Sequence, residues 1–401
     1  MRKIILIIFI LGCIFNLVWA QEYKVKPGVV ITKKNYTQYL SELKKLLPQA
    51  IFPTQINGIK NGWITMPIVK KEYPPFNIEY IEASKKNLGK FNVDSGNKVI
   101  GRQSWIAGAP FPNPKTGAEL AWSTYRRAQY ADDISMFADF LLFDKNSRME
   151  RKFKWYCPKK NWVGRFAYPP IPEIPGNNGE INWKCAIVIL EPFDVRGFSM
   201  IRTRYEDIDK NDGVYSYIPA IRRIRRLTGA DVTDPMLGSD CIYDDFEIWF
   251  QRITSKQTFN MREKEILFTR RYFEEKPMDA IKRNCFQLEW EVIPVWILEI
   301  DTNDPDYAYS KRIIYICKEG GSFTLPYSEN YDQKGRMYRT NFHVHRIVPH
   351  KGRFYHDVGY NYLYRNCING HTTAMDQYPI WRDTNNTLKV YTFKTLLKLA
   401  R

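Results

Sequence analysis

The most frequent pattern along the chain is a short run in which apolar and polar residues alternate. Side chains of a β-strand point to opposite faces in turn, so a half-buried strand has a hydrophobic period of two residues. Strand-like runs occupy residues 151–156, 183–190, 194–205, 214–218, 285–300, 309–317 and 337–345. Many short strands in series with few helices predict an α+β protein that is mostly antiparallel β, with a large sheet that is curved or barrel-like.

Helical patterns are found in only a few places. Residues 35–47 carry leucines and tyrosines at helical spacing before Pro48, which predicts an amphipathic helix that packs on the core. Thr116 and Glu119 have the spacing of a capping box and predict the start of a second helix. Residues 387–399 predict a helix that closes the chain.

The first 20 residues have the anatomy of a secretory signal peptide. Basic residues precede a short apolar run, and Ala20 offers a small-residue cleavage site. An alternative is a lipobox at residues 10–13, with Cys13 as the lipid-bearing residue. No later apolar run reaches the ~18 residues of a membrane helix, so no transmembrane segment is expected in the mature chain.

The pattern divides the mature chain into two parts. Residues 21–98 are expected to form an N-terminal extension with the amphipathic helix and short strands, and residues 99–401 a curved-sheet domain. Residues 51–101 are rich in Pro, Gly and Asn around short apolar runs, which predicts strands and loops there.

Net charge and compartment together limit the partners. The formal net charge is +17, which favours attraction to anionic partners such as lipid headgroups, acidic proteins or nucleic acid. Export removes nucleic acid from this set. The remaining expectation is an envelope protein of the periplasm that meets anionic lipid or acidic protein.

Cleavage after Ala20 leaves an even number of cysteines in an oxidising compartment. They are Cys157, Cys185, Cys241, Cys285, Cys317 and Cys367. Up to three disulfides are possible, and several buried free thiols are the alternative. No CxxC spacing is present, so neither a zinc ribbon nor a thioredoxin-like redox site is supported.

Catalytic and metal motifs are not recognisable in the sequence. His343 and His345 would share one face of a strand, but no further ligand follows at metal-site spacing. The chain has no GxSxG, HExxH, P-loop or GxGxxG motif in a strand-turn-helix context. We therefore expect no catalytic residue, no metal and no cofactor. An envelope hydrolase that uses His343, His345, His356 or Asp357 is an alternative.

The most unusual stretch is residues 214–227, where an aromatic strand pattern meets four arginines within five positions. Tyr215 and Tyr217 fall on one face of an extended chain. Arginine pairs bidentately with carboxylate and phosphate groups, so the stretch is a candidate anion site. The candidate ligand-binding residues are Tyr215, Tyr217, Arg222, Arg223, Arg225 and Arg226.

The backbone conformation decides which of the arginines act together. A strand puts Arg223 and Arg225 on one face and Arg222 and Arg226 on the other, whereas the aliphatic spacing also allows a helix. Acidic residues follow closely, and they are expected to tie some of the arginines into ion pairs. They are Asp231, Asp234, Asp240, Asp244 and Asp245.

Several motifs resemble those of one protein family, in the same order along the chain. They occupy residues 111–122, 194–197, 215–226, 244–246 and 309–312. The sequence resembles an uncharacterised family of exported Gram-negative proteins described as outer-membrane lipoprotein-sorting-like, from about residue 99 to about residue 394. Residues 197–226 also remotely resemble the LolA/LolB/LppX-like carriers.

The resemblance implies a fold and a function. The fold is a strongly curved, unclosed sheet (a half-barrel) with a few helices that cover its concave face, and a strand through residues 221–227. The function is a non-enzymatic periplasmic carrier of a lipid or another hydrophobic ligand, working with an RND-type transporter and an outer-membrane barrel. The alternative is a periplasmic interaction module for an RND-type transporter or an outer-membrane barrel that carries no lipid.

Overall fold

The computed structural model describes residues 23–128, 132–227, 233–246, 249–268, 281, 284–382 and 388–400. The strands in these residues are β1 (Val30–Ile31), β2 (Met66–Pro67), β3 (Asn92–Val93), β4 (Val99–Ile100), β5 (Asp133–Phe143), β6 (Met149–Asn161), β7 (Ile181–Glu191), β8 (Ser199–Tyr205), β9 (Gly213–Ile218), β10 (Arg223–Leu227), β11 (Gln257–Phe268), β12 (Glu291–Thr302), β13 (Lys311–Cys317), β14 (Tyr327–Tyr331), β15 (Met337–His350), β16 (Arg353–Asn366) and β17 (Thr372–Arg382). The helices are α1 (Leu40–Leu46), α2 (Phe52–Asn61), α3 (Ile78–Lys85), α4 (Gly117–Tyr125) and α5 (Phe393–Leu399).

Thirteen of these strands form one antiparallel sheet with two free edges. Its order is β10-β9-β8-β7-β6-β5-β17-β16-β15-β14-β13-β12-β11. Neighbours in the sheet are also neighbours in the chain except at the β5–β17 ladder, where Thr372 pairs with Phe143. The strands thus form two meanders, β5–β10 and β11–β17. Because β10 and β11 do not pair with each other, the sheet is unclosed, as predicted.

Two ion pairs show how strongly the sheet curves. Arg202 on β8 donates to Asp244 at 2.7 Å, and Arg312 on β13 donates to the adjacent Asp245 at 3.0 Å. In a flat sheet β8 and β13 would be eight strand spacings, or about 38 Å, apart. Side chains from both strands reach the same dipeptide, so the face that carries them is concave. The predicted curved, mostly antiparallel α+β fold is confirmed.

The concave face is covered by α4 and by the chain that joins the two free edges. We call residues 233–246 and 249–256 the cover segment. Met236 and Tyr243 of this segment pack with Phe140 and Trp155 from the centre of the sheet. Trp122 of α4 packs in the neighbouring cluster, against apolar residues of β12 and β13. The cover segment and α4 therefore bury the apolar concave surface.

The convex face carries α1, α2 and α5. Leu43 and Leu46 of α1 and Ile59 of α2 share a core cluster with Ile297 and Tyr315 of the sheet. Leu396 of α5 packs on the same face at the other side of the sheet, in a cluster with side chains of β7 and β8. The N-terminal residues thus share a core with the sheet, and the boundary predicted at residues 98–99 stays a prediction.

Three helix predictions, for α1, α4 and α5, were correct. Thr116 accepts a hydrogen bond from the backbone N–H of Glu119 at 3.2 Å, which confirms the capping box at α4. α1 and α5 lie within the predicted helical stretches 35–47 and 387–399. No helix in the described residues is long and apolar enough to cross a membrane.

The prediction of strands and loops for residues 51–101 was wrong in two places, because α2 and α3 lie there. In α2 the proline and the glycine mark the helix ends. Pro53 lies in the first turn, and Gly62 adopts the left-handed conformation at the C-cap, with φ of 75°. These are the positions at which proline and glycine favour a helix boundary.

Candidate functional site

Acidic side chains hold the cover segment across the open side of the sheet. Asp244 accepts from Arg202 at 2.7 Å and from the hydroxyl of Tyr307 at 3.1 Å. Asp240 accepts from the hydroxyl of Thr373 on β17 at 3.1 Å. The segment is therefore fixed to both meanders of the sheet by polar contacts, in addition to its apolar packing.

A buried polar network surrounds Asp245. Its carboxylate accepts from Arg312 at 3.0 Å and from the hydroxyl of Tyr309 at 2.7 Å, and Arg339 in turn donates to Tyr309 at 3.2 Å. Burial and the neighbouring Asp245 carboxylate raise the pKa of Tyr309 well above its usual value. Tyr309 therefore keeps its proton and remains a donor to Asp245.

A second buried network holds two arginines of β8. Arg204 and Arg202 both donate to Asp212, at 2.8 Å and 2.6 Å. Burial alone would raise the pKa of Asp212, but the two guanidinium groups outweigh it and lower that pKa to about 2. The network is structural in the sense that its charges balance one another inside the protein.

A polar pocket of about 660 Å³ occupies the gap between the two free edges of the sheet. Charged side chains of both signs line it, among them Asp212, Arg252, Lys256 and Asp304. Arg252 is bound to the carbonyls of Ile208 and Lys210, so it is not available as a free cation. This lining does not suit an acyl chain.

The pocket best suited to an apolar ligand lies on the convex face, beneath the start of α2. It has a volume of about 240 Å³. Its apolar walls are Ala50 and Ile51 before α2, Phe286 on the loop before β12, and Tyr327, Phe342 and Leu363 on β14, β15 and β16. Phe286 stacks on Phe342 with 4.4 Å between the ring centroids.

Two cations line the rim of this convex pocket. Lys145 comes from the β5–β6 turn and Arg365 from the end of β16. Arg365 donates to the side-chain carbonyl of Asn284, which orients the guanidinium. Among the described residues that line the pocket none is acidic. The described part of the rim therefore places two positive charges beside an apolar interior.

The geometry of α2 fixes one wall of the convex pocket. Gln55 is buried and forms two hydrogen bonds with the backbone of Phe286, at 2.7 Å and 2.9 Å. Gly58 lies so close to Cys285 that a methyl group there would overlap the sulfur atom. These contacts set the distance between α2 and the loop that carries Phe286.

The predicted ligand-binding residues lie elsewhere, at the free β10 edge of the sheet. They are Tyr215 and Tyr217 on β9, Arg222 in the connecting turn, and Arg223, Arg225 and Arg226 on β10. All four arginines are exposed. None of the six residues lines the pockets of 240 or 660 Å³. Their role in ligand binding stays a prediction.

One expectation for this stretch needs correction, and the expected ion pairs of the arginines stay a prediction. The strand begins at Arg223 and not at Ile221, because Pro219 starts a helical turn that places Arg222 in the left-handed region, with φ of 51°. Within the described part of the chain, no ion pair joins the four arginines to a carboxylate. Asp240, Asp244 and Asp245 contact His371, Arg202 and Arg312 instead, and Asp231 lies outside the described residues.

Four of the five histidines lie on the β15–β16 hairpin, and His371 precedes β17. His343 is buried, whereas the side chains of His345, His356 and Asp357 lie outside the described residues. His371 contacts Asp240 through Nδ1 and lies 2.7 Å from Glu150 through Nε2. In the described residues no group of three or more His, Cys, Asp or Glu side chains could hold a metal ion.

Among the described residues the six cysteines form no disulfide, and disulfide formation stays a prediction. Cys157 on β6 and Cys185 on β7 have their sulfur atoms 3.7 Å apart. The spacing in the sequence could not have suggested this pair, because it depends on the register of two neighbouring strands.

Sequence reasoning missed the convex pocket entirely. Its lining comes from five separate parts of the chain, near residues 50–54, 145–147, 284–286, 327–342 and 363–372. The only local signal is the pair Leu363 and Arg365, which share a strand face because they are two residues apart. Such a pair is too common to identify a site.

Comparison with known proteins gives limited similarity to solved structures. A protein domain from Vibrio parahaemolyticus with a provisional assignment to outer-membrane lipoprotein sorting has 17% identity and a TM-score of 0.49, over 70% of this chain and 98% of that chain. A DUF1329 family protein from Desulfovibrio piger has 16% identity and a TM-score of 0.49, over 70% and 97%. A LolA superfamily protein from Nitrosomonas europaea has 12% identity and a TM-score of 0.42, over 70% and 98%.

A search of curated proteins finds no match. A family model described as "Protein of unknown function (DUF1329)" matches residues 30–388. This match includes α1, α2, the whole sheet and both networks around the cover segment. Since it spans most of the 401 residues, the chain belongs to the DUF1329 family.

Proposed function

We propose that this protein is a non-enzymatic carrier of the cell envelope that binds one acyl chain of an anionic amphiphile. The observation that carries the proposal is the convex pocket, in which apolar walls meet two rim cations and the described lining residues include no Asp or Glu. An acyl chain needs no directional partner, and its anionic head would lie at the rim.

The apolar part of the pocket has the size and chemistry for a hydrocarbon chain. Its volume of about 240 Å³ exceeds the ~150 Å³ of a dry cavity that accommodates benzene. Burial of each methylene contributes about 0.8 kcal/mol. Phe342 and Leu363 supply walls from adjacent strands, and Phe286 extends this apolar lining by stacking on Phe342.

The rim supplies selectivity for charge. The guanidinium of Arg365 presents a planar fork that fits carboxylate and phosphate oxygens, and Asn284 already orients it. Lys145 is exposed in a turn and can approach the same headgroup. A fatty acid and a lysophospholipid share the required chemistry of one chain and an anionic head.

The cellular setting of the proposal is the periplasm. The predicted signal peptide and the basic net charge support an exported protein that meets anionic lipid. An RND-type transporter and an outer-membrane barrel are the proposed partners in transport. A purely protein-binding module would have no use for an apolar pocket with a cationic rim.

The proposal is tested with decanoate and decanol, which differ in charge but have the same chain. Binding is measured by calorimetry and by displacement of an apolar fluorescent probe, and native mass spectrometry of gently purified protein detects bound lipid. We expect decanoate to bind more tightly than decanol. No bound lipid and no displacement by either compound would overturn the proposal.

Two variants locate the site. Thr54→Trp on α2 fills the pocket and should reduce the affinity for both compounds at least tenfold, whereas Lys60→Trp, exposed on the same helix, should leave it unchanged. Lys145→Gln with Arg365→Gln should weaken decanoate by about tenfold, as a charged hydrogen bond contributes about 1.5 kcal/mol, and leave decanol unaffected. Equal loss for both compounds would contradict a role of the rim.

A further inference from the structure

The free β10 edge and the neighbouring helix form a surface whose described elements carry basic residues. We define the basic edge as β9, residues 219–222, β10 and α5. These elements contain no Asp or Glu. Their exposed basic residues are Arg222, Arg223, Arg225, Arg226, Lys394 and Lys398. In the described part of the chain none of these six side chains forms an ion pair.

The strand register assigns the arginines of β10 to opposite faces. Arg226 pairs with Tyr215, and β9 brings Tyr217 against Phe393 of α5 with 6.5 Å between the rings. This is the convex face. Arg225 pairs with Ser216 and therefore faces the concave side, as does Arg223 two residues earlier. Arg226 thus shares a face with α5, and Arg223 and Arg225 do not.

Apolar side chains are exposed among the cations of the convex side. Tyr215 is 41% exposed and Ile224 is 54% exposed, and both lie on the face of Arg226. Ile221 and Leu399 are also exposed nearby, at 45% and 48%. A Cβ atom on Gly197 would contact both Pro219 and Leu397, so the turn before β10 adjoins the end of α5.

Protection of a sheet edge does not account for exposed apolar side chains next to exposed arginines. Charged residues on an edge strand prevent pairing with other chains, and the arginines alone would serve that purpose. Exposed isoleucine and tyrosine on the same edge would work against it. Cations mixed with aromatic and aliphatic side chains are instead typical of surfaces that lie at a bilayer interface.

We propose that the convex side of the basic edge docks on an anionic phospholipid surface. Arg226, Lys394 and Lys398 contact headgroup phosphates, and Tyr215 and Ile224 enter the boundary between headgroups and chains. Complementary charge identifies the partner, because the elements that form the basic edge carry basic residues and no Asp or Glu. This docking is separate from the proposed acyl-chain pocket and does not require a bound ligand.

Cosedimentation with vesicles tests the proposal. The full mature chain should bind vesicles of phosphatidylglycerol mixed with phosphatidylcholine and bind phosphatidylcholine vesicles only weakly. Arg226→Gln with Lys398→Gln should weaken binding about 30-fold, since each basic residue at an anionic surface contributes roughly 1 kcal/mol, or about fivefold in affinity. Tyr215→Ser with Ile224→Ser should remove the binding that persists at high salt.

The matched control is on the same strand. Arg223→Gln with Arg225→Gln removes the same net charge from the concave side and should weaken binding only a few-fold. Equal losses of affinity in the two double variants would mean attraction by net charge alone and would overturn the proposal.

Binding to polyglutamate without binding to anionic vesicles would also overturn the proposal, in favour of an acidic protein partner. Thr54→Trp, which fills the convex pocket, should bind vesicles normally.

Discussion

Arg312 and Asp245 form an ion pair of 3.0 Å in which neither side chain is more than 1% exposed. Removal of one partner from such a pair leaves a buried charge without compensation, at a cost of about 3–5 kcal/mol. We therefore expect Arg312→Met to lower the free energy of unfolding by about that amount, measured by urea denaturation.

The control for Arg312→Met is the exposed pair Lys256 and Asp304, at 2.8 Å in the gap between the free edges. Lys256→Met should cost at most about 1 kcal/mol, because solvent screens an exposed pair. The double variant Arg312→Met with Asp245→Asn should be more stable than Arg312→Met alone. Similar small losses of unfolding free energy for Arg312→Met and Lys256→Met would contradict a stabilising role of the buried pair Arg312–Asp245.

Asp212 should make the protein sensitive to acid. Its pKa is about 2 in the folded protein and 3.8 when unperturbed. A lowered folded pKa contributes stability above pH 4, and this contribution is lost as the pH falls from about 4 to about 2. The loss should amount to about 2 kcal/mol. The free energy of unfolding, measured by denaturation at several pH values in this range, should change less steeply with pH in Asp212→Asn than in the unmodified protein. An equally steep change in the two proteins would contradict the lowered pKa of Asp212.

His371 should have the opposite pH dependence. Burial of the ring opposes its protonation, but contacts with Asp240 and Glu150 outweigh this and raise its pKa above 6.5. The stability from its charged form is complete below pH 6.5 and is lost as the pH rises through the raised value. The melting temperature should fall over this interval, and His371→Gln should remove this component. An equal fall in the melting temperature of the unmodified protein and of His371→Gln would mean that other groups cause the pH dependence.

Gly58 should be essential for the position of α2. A methyl group there overlaps the sulfur of Cys285, and overpacking of this kind costs typically about 1–3 kcal/mol. We expect Gly58→Ala to lower the melting temperature and to weaken probe binding in the convex pocket. Gly96→Ala, where the nearest neighbour is an aspartate oxygen at 3.4 Å, should be close to neutral. Equal stability of the two variants would contradict the close approach.

Cys157 and Cys185 should form a disulfide under oxidation. Their sulfur atoms are 3.7 Å apart, and the bond requires an approach to about 2.05 Å. Oxidised glutathione would accept the two electrons and the two protons released by the thiols. Intact-mass analysis should show the loss of two hydrogen atoms, and alkylation should find two fewer thiols. Cys185→Ser should abolish this change, and its persistence would point to another pair.

Patterns among residues close together in the sequence predicted much of the sheet. Alternating patterns found the strands, and Thr116 with Glu119 found the start of α4, because both depend on residues close in the chain. α2 was missed because Pro53 and Gly62 were taken as loop residues, although each lies at a helix end. Composition does not distinguish a helix boundary from a loop when the position is unknown.

The candidate site was far less predictable. The convex pocket joins Lys145 and Arg365, which are brought together only through the β5–β17 and β16–β17 ladders. The partners of Asp244 and Asp245 were also unpredictable, since Arg202 and Arg312 reach them only after the sheet curves. Asp244 and Asp245 pair with these two distant arginines and not with the arginines that are nearer in sequence.

The β5–β17 ladder also determines how the chain must fold. Thr372 and Phe143, paired across it, are 229 positions apart, whereas the other ladders of the sheet join consecutive strands. Contacts between distant residues form slowly. Until β17 is in place, the largely apolar β5 has an unpaired edge to which another chain can add. Aggregation should therefore compete with folding, and the refolding yield should fall as protein concentration rises.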